Sequence, residues 1–321
     1  MGGNHLFILS SCKIRRDLRE RLVEAYPSVA FQFTESMGEA ASSLSEADVL
    51  LTYGEDLTEE LVEEAARLKW IMVLSAGLDK MPFEKIEERG ILVTNSKGIH
   101  KAPMAEYAIA MLLQVARNTR LLLENEKAHE WDRSVKPVEI TGKTMLIAGT
   151  GAIGQEVARL AQAFRMYTIG ISNSGTAKEH FDNVYTKDEL DAHLSEADFV
   201  VSVLPSTEGT KNFLKRKHFE IMKDDAVFLN MGRGDVVDGD TLLHVMEEKL
   251  IHHAILDVFE VEPLPAAHPF WEMGNVTITP HSSGMSPNYQ PRAMSIFEEN
   301  LHTFQAGGEV FVNQIDPRKG Y

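Results

Sequence analysis

Short apolar runs recur along the whole chain, each followed by a stretch with apolar positions every three or four residues. That rhythm predicts strands alternating with amphipathic helices, and so parallel sheets with helices on both faces. In the first third the strand candidates are 5–9, 29–33, 48–53, 69–74 and 91–94. A helical pattern fills 56–68, with Asp56 and Glu59 spaced as a capping box. Five such strands would make a small doubly wound domain.

A long helix is predicted over 102–123, apolar on more than one face, as a helix buried between domains or subunits would be. A second series of strand candidates follows at 144–148, 167–171, 183–185, 198–203, 226–230, 254–259 and 276–279. One more helical pattern, 292–304, closes the chain. The segment from 287 onward is too short for a domain and is expected to pack back on the first one. The expected organisation is α/β, with two doubly wound parallel-sheet domains. Residues 1–99 with 287–321 form one, and 100–286 form an inserted second. No repeat of fixed period and no low-complexity tract is visible.

Composition narrows the function. Hydrophobic residues make up 44% and charged residues 25%, the balance of a globular protein that builds its own cores. Acidic side chains outnumber basic ones 48 to 32, and a formal charge of −16 repels phosphate backbones, so nucleic acid is not expected as a partner. No run is long enough for a membrane span. The opening MGGNHLFILSSCKIRR has too short an apolar run for a signal peptide. The single cysteine, Cys12, excludes an internal disulfide and any Cys-rich metal site. A cytoplasmic protein is expected. His252, His253 and His268 have no acid or Cys at metal spacing, and no metal is expected.

The strongest local signal is Gly149-Thr150-Gly151-Ala152-Ile153-Gly154, which follows an apolar strand and opens a helical pattern. In that context Gly149 permits the tight turn, Gly151 lets the backbone approach a pyrophosphate, and Gly154 lets helix and strand pack closely. The helix N-terminus, starting at Ala152 and Ile153, offers free N–H groups and a positive dipole end to the phosphates. At the end of the next strand a carboxylate normally holds the adenosine ribose. The chain has Ser172-Asn173-Ser174-Gly175 there, with no acid. Hydroxyl and amide donors accept a 2′-phosphate that an acid would repel, so NADP is favoured over NAD, with a site tolerant of both as the alternative.

Three further segments each place a charged group just after an apolar strand: Arg233 in FLNMGRGDVVDG, Asp257 and Glu262 in AILDVFEVEPLP, and His281 in VTITPHSSG. Open parallel sheets bind ligands at that edge. Singly, these side chains read as a surface arginine, loop acids and a loop histidine. Together they suit one reaction. Hydride transfer to or from an alcohol carbon needs a group that moves the hydroxyl proton, and imidazole titrates in the right range. A paired carboxylate orients the ring and favours its charged form. A guanidinium holds a substrate carboxylate at two points and polarises the carbonyl.

With these segments the chain resembles the D-isomer-specific 2-hydroxyacid dehydrogenases, over nearly its whole length. The likeness also rests on Ser75-Ala76-Gly77-Leu78-Asp79, Asn95-Ser96-Lys97-Gly98-Ile99, Ala105-Glu106, and Leu204-Pro205-Ser206-Thr207 with Thr210. The resemblance implies a flavodoxin-like substrate domain, a Rossmann cofactor domain, and a homodimer built on the latter. It implies hydride transfer between NAD(P)H and a small 2-keto or 2-hydroxy acid. Arg233 becomes the substrate anchor, Glu262 the partner of a catalytic His281, and Asp257 a neighbour of the nicotinamide carboxamide. Backbone N–H groups around Ala76, Gly77 and Leu78 receive the substrate carboxylate. Leu204, Pro205, Thr210, Met231, His281 and Ser283 fall against the cofactor. Two places depart from the commoner pattern: Ser172 stands for the usual acid, and His100-Lys101-Ala102-Pro103-Met104 replaces a segment that usually carries Asn and Ser. A dinucleotide-sensing corepressor and a formate dehydrogenase relative are the alternatives. The first needs a partner-binding surface that no tail or basic patch offers, and the second has no substrate carboxylate for Ala76–Leu78 to hold.

Overall fold

All five early runs form strands: β1 (Phe7–Ser10), β2 (Ala30–Phe33), β3 (Val49–Thr52), β4 (Trp70–Val73) and β5 (Leu92–Asn95). The computed structural model describes residues 5–318 apart from Ala76 and Asp79. The chain divides into two units, Met1–Ile99 with Ser286–Tyr321, and His100–Met285. The first sheet runs β2-β1-β3-β4-β5, every pair parallel, which is flavodoxin-like order. Every residue of β3 and β4 is buried, which is why those strands read as unbroken apolar runs. Helices α1 (Arg16–Ala25), α2 (Met37–Leu44), α3 (Glu59–Glu64) and α4 (Phe83–Glu88) make the crossovers. The expected cap at Asp56 is not used. Thr58, in extended backbone, caps α3 through its hydroxyl, which accepts the Leu61 N–H at 3.3 Å.

The expected single helix over 102–123 is two helices, α5 (Lys101–Ala116) and α6 (Thr119–Ala128). Asn118 breaks them apart: its backbone is left-handed (φ 54°), and its side-chain amide donates to Lys136 O at 3.0 Å. Asparagine visits that region more readily than most residues, and the tertiary hydrogen bond holds it there. α5 buries Met104, Ala105, Ala108, Ile109 and Leu112, whereas α6 buries nothing and leaves Leu121, Leu122 and Leu123 exposed. The second unit holds strands β6 (Thr144–Ala148), β7 (Tyr167–Ser172), β8 (Asn183–Thr186), β9 (Phe199–Ser202), β10 (Val227–Asn230), β11 (His253–Leu256) and β12 (Val276–Ile278). Helices α7 (Ala152–Ala163), α8 (Leu190–Leu194), α9 (Arg216–Ile221) and α10 (Gly239–Glu247) accompany them. This sheet is wholly parallel in the order β12-β11-β10-β9-β6-β7-β8, and its sequence order reverses between β6 and β9.

The last helix, α11 (Tyr289–Gln305), returns to the first sheet. Its Phe297 stacks on the buried Trp70 with ring centres 5.4 Å apart, and Phe304 lies equally close. The residues after α11 cover the β5 edge through an antiparallel bridge, Thr94 to Gln314, and a bond from Ile315 N–H to Val93 O at 2.9 Å.

The two sheets share one staple. Leu44-Ser45-Glu46-Ala47-Asp48 leads into β3, and Leu194-Ser195-Glu196-Ala197-Asp198 leads into β9. Asp48 accepts the Phe7 N–H (3.1 Å) and pairs with Arg67 (3.0 Å) and Lys69 (3.1 Å). Asp198 accepts the Thr144 N–H (2.8 Å) and pairs with Lys143 (3.2 Å) and Lys223 (3.0 Å). Burial alone would raise both carboxyl pKa values. The strand N–H first, then the lysines (and Arg67 at Asp48), more than reverse this and leave both below the ordinary value. The staples sit where the strands begin, and so leave the opposite edge of each sheet free for chemistry.

Candidate active site

Ile171, Ala148, Ser202, Asn230, Leu256 and Ile278 lie side by side across β7, β6, β9, β10, β11 and β12. All the strands run the same way, so the residues that follow this row gather at one edge. Gly149, Ser172, Leu204, Arg233, Asp257 and His281 each lie within three positions of it. Strands are spaced about 4.8 Å apart, so β6 to β12 spans roughly 19 Å of edge, enough for an extended dinucleotide.

The glycine loop is built for close approach. Gly149 has a left-handed backbone (φ 105°), and a Cβ there would lie 2.9 Å from Val203 Cγ2. A Cβ on Gly154 would fall 1.9 Å from Gly149 O, so α7 can lie this close to the strand only with glycine there. Gly151 is different: a Cβ there meets nothing within 4 Å, and the residue is exposed. It is the N-cap of α7, in whose first turn the N–H groups of Ala152, Ile153 and Gly154 lack intrahelical acceptors. These residues fit a pyrophosphate. One strand over, Ser172 Oγ accepts the Gly175 N–H (3.1 Å), which folds the turn that exposes Asn173 and Ser174.

Arg233 is exposed on a loop pinned on both sides. A Cβ on Gly232 would come within 2.5 Å of Leu204 O, and one on Gly234 within 2.0 Å of the Phe259 carbonyl carbon. Buried Asn230 clips the turn: its Oδ1 accepts the Gly232 N–H (3.2 Å) and its Nδ2 donates to Arg233 O (2.9 Å). The neighbouring loop folds on itself, with Thr210 Oγ1 donating to Pro205 O at 2.5 Å and accepting the Thr207 N–H at 2.9 Å.

His281 and Glu262 meet. His281 Nδ1 lies 2.8 Å from Glu262 Oε2, while Glu262 Oε1 accepts the Phe259 N–H at 2.9 Å. A carboxylate on Nδ1 fixes the proton there and leaves Nε2 as the working nitrogen. The ring is about half exposed, and the His281 backbone is left-handed (φ 50°), a costly conformation for a residue with a Cβ. Asp257 is fully buried beneath this segment. Its carboxylate accepts Thr279 Oγ1 (2.5 Å) and the N–H groups of Ser282 (2.8 Å) and Ser283 (3.0 Å), and its backbone O accepts the His281 N–H (2.9 Å).

Met231 and Ser283 are buried, Met231 within the core under α5 and α7. In the first unit, Gly77 is exposed just beyond β4 and Leu78 packs into that unit's core. Ala76 lies outside the described residues. Phe270 is core, and the Trp271 indole N–H donates to Pro265 O (2.9 Å). Among the described residues no group of three or more His, Cys, Asp or Glu is placed to hold a metal, and no helix is long and apolar enough to cross a membrane.

Residues 109–283 match the model of the D-isomer specific 2-hydroxyacid dehydrogenase NAD binding domain. The chain belongs to the D-isomer-specific 2-hydroxyacid dehydrogenase family. Glyoxylate/hydroxypyruvate reductase B of Enterobacter sp. (strain 638) is 34% identical over 310 residues, 94% of this chain and 95% of the relative. A solved family member from Aeromonas salmonicida subsp. salmonicida has a TM-score of 0.85 at 31% identity, covering 98% of this chain and 99% of its own. An NADPH-dependent glyoxylate/hydroxypyruvate reductase from Sinorhizobium meliloti, solved with NADP and sulfate, gives 0.79 at 26% identity, covering 98% and 100%. As a family member this chain is an NAD(P)-dependent oxidoreductase transferring hydride at carbon 2 of 2-hydroxy or 2-keto acids. That reading is favoured over a corepressor-like sensor or a formate dehydrogenase relative.

Proposed function

We propose that the protein reduces a short 2-keto acid, of the glyoxylate or hydroxypyruvate kind, with NADPH in preference to NADH, giving the D-2-hydroxy acid wherever carbon 2 becomes a stereocentre. The observation that carries this is the His281–Glu262 pair, 2.8 Å long, with no hydrogen bond to Nε2 from any described residue. His281–Ser283 and the Arg233 loop then belong to a dinucleotide-binding domain, and the first unit is the substrate domain.

When bound, the nicotinamide cofactor supplies the hydride to carbon 2 or takes it back. The chain does the rest. Arg233 holds the substrate carboxylate in two-point fashion. His281 Nε2 gives its proton to the carbonyl oxygen as carbon 2 receives the hydride, and recovers a proton in the reverse direction. Glu262 stabilises the imidazolium and keeps the ring in register. The backbone of Gly151–Gly154 holds the pyrophosphate, and Ser172, Asn173 and Ser174 receive the 2′-phosphate.

A homodimer fits the surface of α6. Leu121, Leu122 and Leu123 are exposed, and Trp131, a few residues further, is 93% exposed. A cytoplasmic setting fits the lone buried thiol, Cys12.

The reading is tested by offering glyoxylate, hydroxypyruvate and pyruvate with each reduced cofactor and resolving the enantiomers of the glycerate and lactate formed, glycolate being achiral. D-hydroxy acid formation is expected. Failure to reduce any of the three, or an L product, would overturn it.

A further inference from the structure

The segment carrying His281 is held from a distance. Tyr107, on the second turn of α5, places its hydroxyl 2.7 Å from Thr279 Oγ1. Thr279 Oγ1 in turn donates to Asp257 Oδ1 at 2.5 Å. Threonine has one hydroxyl proton, and here it is committed to Asp257, so Thr279 must accept from Tyr107. The order is therefore fixed: Tyr107 O–H to Thr279 Oγ1, Thr279 O–H to Asp257. Burial raises the Tyr107 pKa, with the Thr279 bond lowering it and the Asp257 charge raising it further, so the phenol keeps the proton it donates.

Asp257 connects this chain to the working residue. Its two carboxylate oxygens take the N–H groups of Ser282 and Ser283, and its carbonyl takes that of His281. Three consecutive backbone donors thus converge on one buried side chain and its own peptide. The His281 backbone is left-handed, a conformation that relaxes unless its surroundings impose it. Thr279 orients Asp257, and Tyr107 orients Thr279. No other described residue donates to the Thr279 hydroxyl.

We propose that Tyr107, acting through Thr279 and Asp257, is a positioning residue that holds His281 in its reactive conformation. The inference rests on the reading of His281 as the proton-transfer group. It assigns a task to an α5 side chain 172 positions before its partner, and to a threonine that touches no reacting atom.

The test is steady-state kinetics on Tyr107→Phe, Thr279→Val, Thr279→Ser and the Tyr107→Phe/Thr279→Val double variant, with His281→Gln in parallel. A displacement near 1 Å costs up to about 100-fold in rate, so Thr279→Val is expected to lower kcat by roughly 30- to 100-fold. KM for cofactor should stay within about threefold, because the phosphate loop is untouched. Thr279→Ser keeps the hydroxyl and should restore kcat to within about threefold of the parent. Tyr107→Phe keeps the ring in the core and removes only the donor, and should lower kcat about fivefold. Tyr107 acts only through Thr279, so the double variant should be no slower than Thr279→Val alone. A parent-like Tyr107→Phe, a double variant showing the product of the two effects, or no rescue by Thr279→Ser would overturn the proposal. If His281→Gln stays active, the reading of His281 itself fails. If it is inactive while Thr279→Val turns over normally, only the positioning role fails.

Discussion

Gly234→Ala probes how tightly Arg233, the proposed substrate anchor, is held. A Cβ at residue 234 would lie 2.0 Å from the Phe259 carbonyl carbon, 2.2 Å from its oxygen and 2.4 Å from Glu260 N. Ordinary contact begins near 3.4 Å, so the loops must part by 3.4 − 2.0 = 1.4 Å at the closest pair. All three atoms are backbone, and none can swing aside. Gly234 is not in the left-handed region, so the penalty is steric alone. Overpacking of this kind costs about 1–3 kcal/mol, and each kcal/mol lowers Tm by roughly 2–4 °C for a unit of this size. The functional loss should be larger. The same movement shifts Arg233 on one side and, on the other, the Phe259 N–H that holds Glu262. With ångström-scale displacement costing up to about 100-fold, kcat/KM for keto acid should fall by one to two orders of magnitude. Gly239→Ala is the control, since its Cβ meets only the flexible Glu260 carboxylate, and it should stay within about threefold of the parent. Steady-state kinetics and thermal unfolding decide the matter. Parent-like kcat/KM for Gly234→Ala would refute the claim that this packing sets the site.

The proposed NADPH preference, about tenfold, should reverse to a preference for NADH in Ser172→Asp, which adds a ribose acceptor and repels the 2′-phosphate; NADH preference in the unmodified protein would contradict this. Asp48 and Asp198 have depressed folded pKa values, so their contribution is present above the unfolded carboxylate pKa of about 4 and is lost as pH falls through the folded one. Asp48→Asn/Asp198→Asn should therefore be less stable near pH 7 and lose less stability than the parent on acidification below about pH 4, as read by urea unfolding. An unchanged pH dependence would remove the staples from the account. Sedimentation should give twice the 35.9 kDa chain mass, and Leu122→Glu with Trp131→Glu should halve it; a monomeric parent at micromolar concentration would refute the dimer.

The strands and the glycine turn before α7 were legible because both rest on local spacing: apolar runs for one, three glycines after a strand for the other. The pair His281–Glu262 followed from chemistry and resemblance, and the two residues meet as expected. Other features depend on contacts distant in sequence. Nothing near Asn118 announces a helix break, because the break depends on the Lys136 carbonyl. Asp56 has the right spacing for a cap, yet Thr58 takes the role because it is the residue in extended backbone before α3. Tyr107 and Thr279 have no local signal at all, since their meaning lies in a bond across the fold. Two further signals lie in the sequence but take their meaning only from the fold. The glycines flanking Arg233 mark close backbone approach on both sides, and the repeated Leu-Ser-Glu-Ala-Asp marks the same staple in two sheets.

The central claim is that His281 moves the proton at carbon 2 through Nε2 while Glu262 holds Nδ1. Replacing His281 with glutamine keeps a neutral polar side chain and removes the titrating nitrogen. Keto-acid reduction by His281→Gln, followed at saturating substrate and NADPH, should be slower by roughly 10²- to 10⁴-fold, the usual worth of a placed proton-transfer group. NADPH affinity, measured by fluorescence titration, should be unchanged. A variant that keeps most of the parent's turnover would contradict the assignment.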